Sequence, residues 1–186
     1  EKNKAVCALQ IAGALAYSVL DNADRLYLEV LGNTLMEYKG VTGRQAFHTT
    51  LERLAGIDFT GNGSLLNVIK RANVKQRGIS ILISDFFTDE LEEILKFLTF
   101  NRQEVILIQV LAREEVSPEL EGTLNLIDSE TNGNMRVTMG STLEKEYKAN
   151  YNRFIKNIDT LARRYHAKYL RIVADENLDT VLYNIN

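Results

Sequence analysis

The run Ile79-Ser-Ile-Leu-Ile-Ser-Asp85 constrains the fold more than any other stretch of the chain. Ile79, Ile81 and Ile83 fall on one face of a strand and Leu82 on the other, so the segment suits a strand covered by protein on both sides. That is the habit of parallel sheets, whose crossover helices pack on both faces. Open α/β sheets gather their ligand groups just beyond the carboxyl ends of such strands, and Asp85 stands at that point. A second reading of Asp85 stays open, as a cap for the helix that begins near Thr88.

Periodicity along the rest of the chain alternates between helix and strand. Ala5 to Leu20 reads as a helix, followed by strands over Arg25 to Leu31 and Thr34 to Tyr38, joined as a hairpin through Gly32-Asn33. Arg44 to Ala55 and Ser64 to Lys75 are helical in pattern, and Ile79 to Ser84 is the buried strand. Thr88 to Phe100 carries Leu91, Ile94, Leu95 and Leu98 at core spacing, and Val105 to Leu111 reads as a second apolar strand. A long charged helix spans Thr142 to Tyr165, a last strand Tyr169 to Val173, and a short helix Leu178 to Tyr183. Pro118 falls in a loop. Leu124 to Asp128 and Met135 to Thr138 flank Ser129 to Gly133 as an inserted hairpin. The alternation predicts an α/β fold, a doubly wound and mostly parallel sheet with helices on both faces, in one domain over residues 1–186.

Composition narrows the function classes. The chain has 186 residues, 45% hydrophobic and 25% charged, enough to bury a core, and 22 Lys plus Arg against 25 Asp plus Glu leave a net charge of −3. No basic field is present to draw nucleic acid. The single cysteine, Cys7, excludes an internal disulfide, suits a reducing cytoplasmic compartment, and lies among core-type neighbours. Val6 to Leu20 is apolar but interrupted by Gln10 and shorter than the ~20 residues that span a bilayer, so it reads as a core helix, not a membrane segment or signal peptide. The chain opens on Glu1 and enters a helix at once, which reads as part of a longer protein.

Several constellations with chemical potential fall short. Asp128-Ser-Glu130-Thr-Asn132-Gly133 has the spacing of the first half of a calcium loop, but Met139 stands where the closing glutamate belongs, which leaves a polar turn. Thr60-Gly-Asn-Gly63-Ser64 precedes a helix yet lacks the Gly-Lys-Ser/Thr ending of a phosphate loop, so Gly63 and Ser64 read as turn and N-cap. His48 and His166 sit in polar helical segments, away from any metal-ligand or nucleophile-elbow spacing. A phosphatase of the haloacid dehalogenase type needs an aspartate two residues after Asp85, where Phe87 stands. These absences point away from an enzyme.

The spaced stretches Lys4 to Tyr17, Asp24-Arg25-Leu26, Gly63-Ser64-Leu65, Ile83-Ser84-Asp85-Phe86 and Leu126-Ile-Asp128-Ser-Glu130-Thr together resemble the bacterial domain-of-unknown-function family fifty-eight, a branch of the von Willebrand factor type A-like domains. The resemblance spans nearly the whole chain. It implies a sheet ordered 3-2-1-4-5-6, a protein-interaction role and company with a MoxR-type AAA+ ATPase, on a cytoplasmic domain or the soluble part of a membrane-anchored protein. It also implies a metal-ion-dependent adhesion site at the carboxyl edge, in which Ser64, with Thr60 as substitute, and Asp85 match ligands of a Mg²⁺ ion. The resemblance implies that the Asp-x-Ser-x-Ser motif and first central strand of that family lie before Glu1, so residues 1–186 keep part of the site and are expected to bind Mg²⁺ weakly or not at all, with the ion held by the full-length protein. A hydrolase or nucleotide-binding domain using the same edge is the alternative.

Loss of a central strand would leave Arg25 to Leu31 and Ile79 to Ser84 with unpaired backbone groups, at about 1–3 kcal/mol for each one buried. The expectation is therefore that these two strands close directly on each other, or that a segment from another chain fills the gap, as in a strand-swapped dimer.

Overall fold

In a computed structural model of the protein, residues 2–31, 35–57, 63–72, 74, 77–118, 123–127, 134–138 and 141–174 are described. The first element is helix α1 (Lys2–Asp21), which leads through a turn at Ala23, in the left-handed region with φ 58°, into β1 (Arg25–Leu31). Strand β2 (Leu35–Thr42) returns antiparallel to β1, so the expected hairpin forms. It runs four residues past Tyr38 because Gly40 continues the strand beneath Tyr27, where a Cβ would lie 2.7 Å from the tyrosine ring.

A single 3-10 turn at Arg44–Ala46 precedes α2 (Phe47–Ala55), and α3 (Leu65–Arg71) begins at Ser64, whose hydroxyl accepts from the Asn67 N–H at 3.1 Å. The N-cap reading of Ser64 is thus correct. Strand β3 (Gly78–Ser84), helix α4 (Leu91–Phe100) and strand β4 (Gln103–Leu111) follow. After the single turn of α5 (Arg113–Val116) come the inserted hairpin, β5 (Thr123–Ile127) with β6 (Asn134–Thr138), then the long helix α6 (Ser141–Arg164) and β7 (Lys168–Val173). The calcium-like turn and the helix expected over Leu178 to Tyr183 lie outside the described residues.

The centre is a three-stranded parallel sheet in the order β3-β4-β7, with Ile81 opposite Ile106 and Ile108 opposite Leu170. Strand alternation divides its side chains between two cores. Leu82, Val105 and Leu107 join α3, α4 and α6 through Leu66, Ile94, Leu95, Leu98, Ile158 and Leu161. On the other face Ile81, Ile83, Ile106, Ile108, Val110 and Ile172 meet Cys7 and Ile11 of α1. Helices therefore cover both faces, and Cys7 is the core residue its neighbours suggested. Helix α1 is long and apolar enough by length and composition to cross a membrane; in this fold it buries Cys7, Ile11, Ala16 and Leu20 and leaves Val6 and Tyr17 exposed.

The expected closure of β1 onto β3 does not form. The two strands belong to separate sheets, β1-β2 and β3-β4-β7, and among the described residues each has one ladder partner. Helix α1 explains this, because it packs against β1 as well as β3 and β4, and α3 also touches β1. Helix packing fixes where each strand lies, and among the described residues each strand keeps one edge without a ladder partner.

Candidate functional site at the carboxyl edge of the sheet

The carboxyl edge is shaped by one unusual backbone conformation. Phe86 has φ 58°, a left-handed value that a bulky residue seldom adopts, yet its side chain is 1% exposed. The bend sends Phe86 into the core and leaves Asp85 and Phe87 on the outside. Local hydrogen bonds brace it: the Phe86 N–H donates to Ser84 Oγ (3.1 Å), the Phe87 N–H to Asp85 Oδ1 (3.2 Å) and the Thr88 N–H to the Phe86 carbonyl (2.8 Å). Because Asp85 caps this turn and α4 starts only at Leu91, Asp85 is not the N-cap of that helix.

The outer oxygen of Asp85 meets a cation from the far end of the chain. Lys4 Nζ donates to Asp85 Oδ2 at 2.9 Å and to Glu115 Oε1 at 2.8 Å, drawing the first turn of α1, the end of β3 and α5 to one point. Burial pulls the Lys4 ammonium downward, but its bonds and charge contacts with Glu115 and Asp85 outweigh this and hold it above the ordinary lysine value. Glu115 is itself fixed, since its Oε2 accepts from the Ala112 N–H (2.7 Å) and its carbonyl from the Tyr147 hydroxyl (2.7 Å).

Beneath the edge lies a buried polar relay. Gln109, 0% exposed in β4, donates through Nε2 to the Asp85 carbonyl (2.8 Å) and accepts from the Tyr169 hydroxyl (2.5 Å). Burial pushes the Tyr169 phenol up to about 12. Above it, Phe87 is 56% exposed and stacks on Phe154 of α6 with centroids 4.6 Å apart and planes at 10°, while Lys4 Nζ lies 5.8 Å from its centroid.

Of the residues matched to a metal site, Asp85 is at this edge, Ser64 caps α3, and Thr60 lies outside the described residues. The Ser64 hydroxyl donates to Glu90 Oε1 (2.7 Å) and Glu90 Oε2 accepts from the Leu66 N–H (3.3 Å), so Ser64 and Asp85 share no partner. Mg²⁺ requires near-octahedral oxygen ligation at about 2.0–2.1 Å. Asp85 and Glu115 instead hold an ammonium between them, and Ser64 spends its proton on Glu90; this donor arrangement does not fit the ion. Among the described residues no group of three His, Cys, Asp or Glu could hold a metal. His48 is exposed beside Glu52 (3.2 Å), and His166 follows α6 in the left-handed region at φ 55°.

A cleft of about 750 Å³ between α1 and α2 lies apart from this edge. Val6, Leu9, Leu51 and Phe47 line it with Gln10, Ser18 and Tyr17, and it carries no carboxylate, histidine, lysine or arginine. Its surface suits apolar packing, with the Tyr17 phenol as the one ionisable group among these lining residues.

Lys4, Glu115, Gln109, Phe87 and Tyr169 are site residues that sequence reasoning passed over or read otherwise. Gln109 left a signal, as the one polar residue between Val105 and Leu111.

Two solved structures resemble the chain at low identity, and the first shares its fold. A conserved hypothetical protein BatB from Bacteroides thetaiotaomicron is 14% identical, with TM-score 0.51 over 95% of this chain and 84% of its own. An aerotolerance-related membrane protein from Bacteroides fragilis is 12% identical, with TM-score 0.48 over 96% and 86%. No curated protein matches the sequence. The family described as "Protein of unknown function DUF58" matches residues 1–156, and the chain belongs to that family.

Proposed function

We propose that this chain is a protein-interaction module with a von Willebrand factor A-like, doubly wound architecture, and that it holds its partner at the carboxyl edge of the parallel sheet. The parallel sheet β3-β4-β7 with helices on both faces supports this architecture. One observation carries the functional reading. Phe87 is more than half exposed yet fixed by stacking on Phe154, and the Lys4 ammonium, bonded to Asp85 and Glu115, lies 5.8 Å from its ring. A rigid aromatic anchor with a polar border is the anatomy of a binding hot spot. Catalysis has less support, since the Ser64 hydroxyl that donates to Glu90 at 2.7 Å also serves as the N-cap of α3.

The proposed partner is a MoxR-type AAA+ ATPase. A pull-down with the ATPase tests the edge. The native chain is retained, while Phe87→Ala and Asp85→Ala each lower retention several-fold with unchanged circular dichroism. Full retention of both folded variants would remove this edge from consideration.

A further inference from the structure

We propose that the Lys4 ammonium is the resident cation of this edge, standing between Asp85 and Glu115 where a divalent ion would otherwise be drawn. Three observations support this. The ammonium lies within hydrogen-bond distance of both carboxylates, at 2.9 and 2.8 Å, and its side chain is only 21% exposed. Both carboxylates are held in place independently of it, Asp85 by the Phe87 N–H and Glu115 by the Ala112 N–H, so the acidic pair is a preformed seat. The Phe87 ring adds a third wall 5.8 Å from the ammonium nitrogen.

An ammonium and a hydrated Mg²⁺ satisfy such a pair by the same attraction, but the lysine is covalently tethered and its local concentration does not fall with dilution. Mg²⁺ also gives up its water reluctantly, so the tethered cation holds the seat at millimolar free ion. The edge then keeps one positive group among two negative ones without drawing on the solvent, and α1 is fastened to the sheet end by the same bonds. This role holds whether or not the edge meets a partner protein.

Manganese supplies the test, because its bound and free forms are distinguished by electron paramagnetic resonance. The unsubstituted chain is expected to bind no Mn²⁺ through Asp85 at 1 mM ion, a concentration on the order of a weak carboxylate site. Lys4→Met vacates the seat and gains Mn²⁺ affinity at least about tenfold, and adding Asp85→Asn to it removes the gain. Lys4→Arg keeps a cation in place and behaves as the native protein. Circular dichroism accompanies each variant, and Lys4→Gln replaces Lys4→Met if the latter unfolds. Mn²⁺ binding by the native protein that Asp85→Asn abolishes, or a folded Lys4→Met or Lys4→Gln variant with no gain, would overturn the proposal.

Discussion

Replacing Gln109 by leucine should destabilise the protein although it makes a buried strand more apolar. Gln109 is fully buried and satisfies two groups at once, the Asp85 carbonyl at 2.8 Å and the Tyr169 hydroxyl at 2.5 Å. Leucine would leave both without their partner, and a buried unsatisfied group costs about 1–3 kcal/mol. Tyr169 is only partly buried and can recruit water, so its hydroxyl falls at the low end, and the expected loss is about 2–4 kcal/mol. For a chain of this length that lowers Tm by roughly 4–16 °C. Tyr169→Phe removes one end of the relay and should cost about 1–2 kcal/mol. The double variant leaves the Asp85 carbonyl as the only orphan, so its loss should fall short of the sum of the single losses by about 2–3 kcal/mol. Urea unfolding of the four proteins gives the cycle. A neutral Gln109→Leu, or losses that simply add, would refute the relay.

Other consequences are equally direct. Phe86→Ala deletes a buried ring while keeping a non-glycine residue at φ 58°, so a loss of about 3–5 kcal/mol is expected in urea unfolding. Tyr169 is held up to about 12 by burial, above the ordinary tyrosine value near 10, so the stability linked to its neutral form is complete below about pH 10 and lost as pH rises through about 12. The native protein's advantage over Tyr169→Phe in urea should therefore shrink between pH 9 and pH 12; a constant advantage would count against a buried neutral phenol. Among the described residues β3 pairs with β4 alone and exposes Ile79 at 64%, so light scattering should find a concentration-dependent dimer through this edge, weakened by Ile79→Lys.

The α/β layering was legible because strands covered on both faces must be largely apolar, as Ile81 to Ile83 and most of Val105 to Leu111 are. Asp85 was legible for the same reason, since the strand's end marks the edge of the sheet. Its partners were not. Lys4 is 81 positions away and Glu115 lies 111 positions from Lys4, and a charge in a sequence carries no record of what it will face. The start of α4 was placed three residues early because side chains delay it, Asp85 binding the Phe87 N–H and Thr88 Oγ1 the Glu90 N–H at 3.1 Å. Closure of β1 on β3 failed as an expectation for a related reason. Strand periodicity tells which side chains face a core, whereas edge pairing is decided by where helices such as α1 hold each strand.

The central claim is that the carboxyl edge is where a protein partner docks, and hydrogen exchange with and without the MoxR-type ATPase tests it most directly. Docking there should slow exchange of the amides over residues 85–90 and 112–117, with the far end of the sheet around Gly78 and Gln103 unchanged. Binding of the ATPase with slowed exchange confined to other surfaces, and these two segments unaltered, would contradict it.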